Sequence, residues 1–417
     1  MQVGQQVRSN GKSSGEAHVL RFLLVMLALV VEGFDLQAAN FAGPSIAADF
    51  GIARSTLGPL LSASLLGILV GSTQIAPLGD RFGRKRILVL ASAAFGALSL
   101  VSAMAGSPTQ LIVLRFLIGI GLGGVMPNGL ALAGEQFSRQ RQASMIGLVG
   151  IGISLGAVVA GVTAARILPL YGWRGLFVVG GILPVMIAII IALAMPESST
   201  TYESRASASV EAVNQPGSVR AILQPAMRSM TVMIWLVFIG TTLNFYLLAG
   251  WIPLLMKGSG WSIAGAAWIT AGFHLGGVIG GVCASLALAR GGWSTAAIFV
   301  GGAALTMVVL AFAQPGAVET VVFIIAAGFC TTGTLNAING ATGGAYPPHL
   351  RSTGLGWALG TGRVGSILGP LVGSVAALVN LDQNNRFFVI PVIPLIVVML
   401  LAIQLARQTS RVAVLRT

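Results

Sequence analysis

VLRFLLVMLALVVEGFDLQAANFAG, residues 19–43, decides how the chain is to be read. It is an apolar run of about the twenty residues that a membrane-crossing helix needs. Yet it carries two carboxylates, Glu32 and Asp35, three residues apart, on one face of a helix. A charge at the bilayer centre costs about 2.5 to 3.5 kcal/mol on insertion scales. The run therefore raises two questions: whether the rest of the chain is also membrane, and what two carboxylates do inside it.

Composition answers the first. Of 417 residues, 55% are hydrophobic and only 8% charged, against about 25% charged in soluble domains. The apolar runs are continuous rather than alternating, which excludes the short strands of a barrel and leaves spanning helices. Gly is abundant, at 56 residues, and small residues let helices approach closely in lipid. The net charge of +13 would suggest nucleic acid in a soluble protein, but in a membrane chain it reads as topology. The two cysteines, Cys283 and Cys330, both fall in apolar runs, with neither a disulfide framework nor a zinc spacing. The N-terminus lacks the pattern of a cleaved signal peptide, because its first apolar run leads on into EGFD.

Twelve apolar segments follow one another: 20–42, 56–78, 87–105, 108–132, 143–168, 173–195, 229–256, 262–288, 295–314, 317–341, 352–378 and 384–406. With both ends cytoplasmic, 17 of the 24 Lys and Arg residues fall on the cytoplasmic side and five opposite, while Arg115 and Arg363 lie within spans. That asymmetry is the positive-inside pattern. The Ser- and Pro-rich centre lacks apolar periodicity and reads as a linker. The expected organisation is an N-tail (1–19), a six-helix half (20–195), a cytoplasmic linker (196–228), a second half (229–406) and a C-tail (407–417). A constant offset of 210 maps Gly67, Gly71, Gly134, Arg141, Gly150 and Gly152 onto Gly277, Gly281, Gly344, Arg351, Gly360 and Gly362. Two similar six-helix halves are the plan of a secondary transporter, with its site near the midplane between them.

GDRFGRKR (79–86), between the second and third segments, carries more than a basic loop needs, since positive-inside topology does not explain Asp80 or Gly83. It resembles the loop signature of the major facilitator superfamily, and the resemblance covers nearly the whole chain. It implies that Asp80, Arg81, Gly83 and Arg84 form a cytoplasmic gate that latches the halves. The signature's earlier Gly is Ala76 here, and the repeat offset places Arg290 opposite Asp80, so the second half has lost its acidic partner. EGFDLQAAN (32–40) is similar to the first helix of the superfamily's aromatic acid:proton symporters, with Glu32 standing where an Asp is usual. LRFLIGIGLGGVMPNG (114–129) and RSTGLGWALGTGRVGSILGP (351–370) resemble that branch's fourth and eleventh helices, including Arg115 and Arg363.

The residues themselves support a coupled site. Glu32 and Asp35 are the two acidic residues deep within spans, and Arg115 and Arg363 the two basic ones. Arginine stays charged, so two structural ion pairs are one reading. The other is functional: an arginine fork binds a carboxylate bidentately, and bringing in an anion unbalances the charges unless a carboxylate takes up a proton. Asp35 is the preferred proton carrier and Glu32 the alternative. Gln37, Asn128, Asn244 and Asn336 are expected to bind substrate hydroxyls or to form interhelical hydrogen bonds. His274 is a relay or a structural histidine, and Phe245 and Tyr246 could face an aromatic ring. Trp251, Trp261 and Trp268 are expected as interfacial anchors. Gly33 and Gly43-Pro44 would allow irregular backbone in the first helix.

GISLG (152–156) and GTGRVG (360–365) match a nucleophile elbow and a dinucleotide fingerprint letter by letter. Both motifs need a preceding strand, so both read as helix contacts. The expected protein is an all-α transporter in a bacterial inner membrane, a monomer, not an enzyme and without cofactor. It would import a small aromatic carboxylate with protons. A proton-driven efflux antiporter and a non-transporting sensor of such acids are the alternatives.

Overall fold

A computed structural model describes residues 2–134, 139–195, 219–313, 315–381 and 385–414. The long helices are α1 (Gln2–Phe50), α2 (Leu57–Gln74), α3 (Arg84–Ser102), α4 (Pro108–Gly134), the helix pair within Arg139–Ala194, α7 (Pro225–Gly258), α8 (Ile263–Gly291), α9 (Trp293–Phe312), α10 (Ala317–Ala345), α11 (Arg351–Leu378) and α12 (Val392–Val414). The pair meets at a kink at Gly172, whose backbone is non-helical at φ 62° and ψ −167°. Its arms, 139–171 and 173–194, are α5 and α6, which completes the twelve spans. Among the described residues, ten helices are long and apolar enough to cross a membrane. Arg139–Ala194 holds two spans, and α1, apolar over 22–39 apart from Glu32, Asp35 and Gln37, is the twelfth.

The halves repeat the same packing. In the first, α1 packs on α5 and α2 on α4; in the second, α7 packs on α11 and α8 on α10. Small residues make these approaches possible. A Cβ on Gly33 would collide with the backbone of Ile153 on α5, and one on Gly365 with the Ile239 carbonyl on α7. The expected fraying at Gly33 is therefore corrected: α1 runs helical through both Gly33 and Pro44, and Gly33 serves close packing. The two motifs set aside in the sequence behave the same way. Gly152 and Gly156 lie against α1, and Gly362 and Gly365 against α7.

Several element bounds differ from expectation. α1 extends past 20–42 at both ends, and a helix, not a linker, begins at Pro225. Pro225 occupies the first turn, where its missing N–H costs nothing. Linker residues 196–218, Glu135 and the side chains of Arg141 and Arg290 lie outside the described residues.

The halves meet at one end. There the Gly58 N–H donates to Ser374 Oγ at 2.8 Å, and Ser62 Oγ donates to the Ile367 carbonyl at 2.8 Å. Gly43 on α1 faces Leu254 on α7, Gly161 on α5 faces Ala271 on α8, and the Arg166 guanidinium lies 5.9 Å from the Trp268 ring. All these contacts sit towards the 51–56 and 259–262 loops. Trp251, expected as an anchor, is instead fully buried there. It donates to the Pro370 carbonyl at 3.1 Å and stacks on Phe387.

Candidate functional site

The two carboxylates of EGFD go separate ways. Three residues on a helix turn through about 300°, so their side chains point some 60° apart. That angle is enough to send one into the first half and the other into the space between halves.

Asp35 is fully buried inside the first half. Its Oδ2 accepts from Arg115 Nη1 at 2.9 Å, and its main-chain carbonyl from Arg115 Nη2 at 3.2 Å. Ser99 Oγ donates to its Oδ1 at 3.1 Å. The Arg115 guanidinium also lies over the Phe177 ring, 5.7 Å from its centre. Asp35 and Arg115 thus form a closed ion pair among α1, α3, α4 and α6, 0% and 1% exposed.

Glu32 lines a cavity of about 340 Å³ between the halves, within the usual range for small-molecule sites. Arg363 on α11 lines the same cavity, together with Tyr246, Phe245 and Phe238 on α7 and Asn339 on α10. Glu32 Oε2 and Asn339 Oδ1 are buried without a hydrogen-bond partner among the described residues. The other lining residues include Ser72, Met126, Pro127 and Leu335, all towards the linker-side ends of their helices. The cavity therefore runs from mid-bundle away from the closed end.

The remaining expected residues are placed elsewhere. Asn128 donates to the Gly124 and Ala76 carbonyls at 2.8 and 3.3 Å and packs against Gly79. It therefore braces the 75–83 loop. Gln37 accepts from Asn40 along α1. Asn244 donates to the Gly240 carbonyl one turn back at 2.7 Å. Asn336 bonds the Thr332 carbonyl at 3.2 Å on an exposed face. His274 sits among the rings of Phe41, Phe245 and Phe273. Of the expected binding residues, Arg363 and Tyr246 line the cavity and Arg115 does not.

At the linker-side loop, Asp80 accepts from Arg84 Nη2 at 2.8 Å and Nε at 3.0 Å. Gly83 links the short helix Leu78–Phe82 to α3 at φ 102°, and Arg81 lies 5.3 Å from the Phe82 ring. Lys85 bonds the Ala192 carbonyl at 3.0 Å. Asp80 is bonded here to its own loop, four residues on.

Sequence reading missed Phe238 and, among the polar lining, Asn339. The sequence points instead to Asn336, one turn earlier. Nothing in a helix apolar nearly all round tells which of the two faces inward.

Comparison with known proteins agrees with this architecture. The family profile described as Major Facilitator Superfamily matches residues 25–370. A gallate transporter of Pseudomonas putida is 32% identical, over 88% of this chain and 87% of its own length. A 4-hydroxybenzoate transporter of Pseudomonas aeruginosa is 33% identical, over 87% and 86%. The 3-(3-hydroxy-phenyl)propionate transporter of Escherichia coli is 30% identical, over 88% and 89%. Among solved structures, a bacterial homologue of the human lysosomal transporter Spinster superposes with TM-score 0.76 at 17% identity, over 93% of this chain and 96% of that one. A D-xylose-proton symporter superposes at 0.74 and 15%, over 91% and 97%. With twelve spans in two matching halves, the chain belongs to the major facilitator superfamily, in the branch of its aromatic-acid transporters.

Proposed function

We propose that this protein is a proton-coupled secondary transporter that imports a small aromatic carboxylate by alternating access. One observation carries the reading: a cavity between the halves that offers a carboxylate from one half, a guanidinium from the other and aromatic side chains beside them. Arg363 pairs with the substrate carboxylate. Tyr246, Phe245 and Phe238 flank the ring. The relatives named for gallate, 4-hydroxybenzoate and hydroxyphenylpropionate support that substrate class.

Proton coupling follows from charge. An anion on Arg363 removes the cation that compensates Glu32, and an unpaired carboxylate in a dry cavity is costly. Glu32 therefore takes up a proton as the substrate arrives. Asp35, the first choice on sequence, is the weaker carrier, because its charge is held by Arg115 and Ser99. The excess of Lys and Arg supports cytoplasmic termini in a bacterial inner membrane, with boundaries near 20–195, 196–228 and 229–406. The cavity then faces the cytoplasm. Asp80, Arg81, Gly83 and Arg84 lie on that side and gate it, with Asp80 held by Arg84 while the cavity is open. The protein works as a monomer, because each site is complete within one chain.

The test is uptake into proteoliposomes with an acidic exterior, offering labelled benzoate, hydroxybenzoates, gallate, a phenylpropionate and a sugar. Protonophore-sensitive accumulation of an aromatic acid, but not the sugar, is expected. Glu32→Gln should abolish uphill accumulation while retaining exchange of labelled for unlabelled substrate. Failure of every aromatic acid to accumulate in sealed vesicles would overturn the reading.

A further inference from the structure

We infer that Asn339 reads a ring hydroxyl of the substrate, so that the site selects hydroxylated aromatic acids over unsubstituted ones. The inference deepens the proposed function and rests on it.

The argument comes from which polar atoms of the cavity are already occupied. Thr242 Oγ1 donates to the Gly362 carbonyl at 2.6 Å, Ser366 Oγ to the Arg363 carbonyl at 2.7 Å, and Ser72 Oγ to the Leu69 carbonyl at 3.1 Å. These hydroxyls spend their protons on helix backbone. Among the described residues, two acceptors in the lining are instead buried and unmatched: Glu32 Oε2 on α1 and Asn339 Oδ1 on α10. A buried acceptor without a donor loses its hydration and gains nothing in return. Glu32 is satisfied when it takes the coupling proton. Asn339 cannot protonate, and none of the described side chains, Tyr246 and Arg363 of the same lining included, donates to its Oδ1 in this state.

Position favours the ligand as the donor. Arg363 lies twelve residues into α11 from its linker-side start, and Asn339 six residues before the linker-side end of α10. At 1.5 Å per residue their depths differ by roughly 9 Å. An aromatic acid with its carboxylate on Arg363 and its ring along the cavity brings a substituent on the far side of the ring towards Asn339. A phenol O–H there donates to the amide oxygen, and a methoxy group cannot.

The experiment is binding to the purified protein in nanodiscs, by calorimetry, at one pH. The ligands are benzoate, the three hydroxybenzoates and the three matching methoxybenzoates. The wild type is expected to bind at least one hydroxybenzoate about five- to tenfold tighter than benzoate and than its methoxy counterpart. Asn339→Leu and, independently, Asn339→Ala should bring that preference to within about twofold while benzoate binding persists, so benzoate also reports a folded site. A preference unchanged in both variants would overturn the inference and leave the proposed function standing. So would equal wild-type affinity for hydroxy and methoxy ligands. Wild-type protein that binds no aromatic acid would overturn both.

Discussion

Replacing Asp35 with Asn tests whether the two intramembrane carboxylates differ as the geometry says. The Arg115–Asp35 contact is 2.9 Å and both side chains are essentially inaccessible. At an effective dielectric near 20, two charges at that separation attract by about 6 kcal/mol. The asparagine would keep the shape and an acceptor but leave Arg115 buried without its counter-charge. Breaking one partner of a buried pair typically costs about 3 to 5 kcal/mol, and removing both charges costs far less. Asp35→Asn should therefore destabilise strongly, and the double variant Asp35→Asn with Arg115→Gln should recover most of the loss. Glu32→Gln should cost under about 1 kcal/mol, because Glu32 Oε2 has no hydrogen-bond partner among the described residues and Arg363, only half-buried, keeps access to water when that charge is removed. The assay is equilibrium unfolding in mixed micelles, run as a double-mutant cycle. Asp35→Asn as stable as wild type would refute the closed-pair reasoning. So would single-variant losses that simply add in the double variant.

The interhalf contacts give a second expectation: Ser374→Ala leaves the Gly58 N–H without its 2.8 Å acceptor and should shift the closed end about fivefold towards opening. Spin labels at Ile52 and Ser259, with both native cysteines replaced, would report this as a larger long-distance population. Trp251→Phe keeps the stacking on Phe387 but removes the bond to the Pro370 carbonyl, and should cost about 1 kcal/mol in unfolding. Beyond the membrane-spanning part of α1, Asp49 accepts from Trp173 Nε1 at 3.0 Å and Arg174 Nη1 at 2.6 Å. Those bonds hold its carboxyl below its ordinary value of 3.8. A depressed carboxylate stabilises above its unfolded pKa and loses that contribution as pH falls through the folded one. The melting-temperature gap between wild type and Asp49→Asn should thus be constant from pH 7 to about pH 5 and close below about pH 4.

The fold was legible because lipid imposes a length and a continuity that a sequence displays directly. Each half's helices read as runs near twenty residues, and the offset of 210 exposed the repeat. The break between the fifth and sixth segments was legible as well: the segments 143–168 and 173–195 flank Gly172, whose non-helical backbone separates the two helices. Trp251, by contrast, misled. Tryptophan prefers the interface where its N–H stays wet, but here the Pro370 carbonyl supplies that partner inside the bundle. Which charges lie in the membrane was legible too, because they are so few. Which way they point was not: Glu32 and Asp35, and Asn336 and Asn339, each differ by a rotation of some 60° that composition does not record.

That rotation matters for mechanism. A ligand shifts a conformational equilibrium only by interacting differently with its two states. Asp35, Ser99 and Arg115 all belong to the first half, so a rigid rocking of one half against the other carries the pair along unchanged. Glu32 and Arg363 belong to opposite halves and line one cavity, so their separation changes whenever the halves move. A proton or an anion in that cavity is therefore felt by the equilibrium, and the same proton on Asp35 is felt mainly by the stability of the first half. It follows that Glu32→Gln should alter the ratio of the two access states at little cost in stability. Asp35→Asn should do the reverse, with one pair of spin labels and one unfolding curve separating the two effects. A large change in the access ratio from Asp35→Asn alone would mean that the first half is not rigid during the switch.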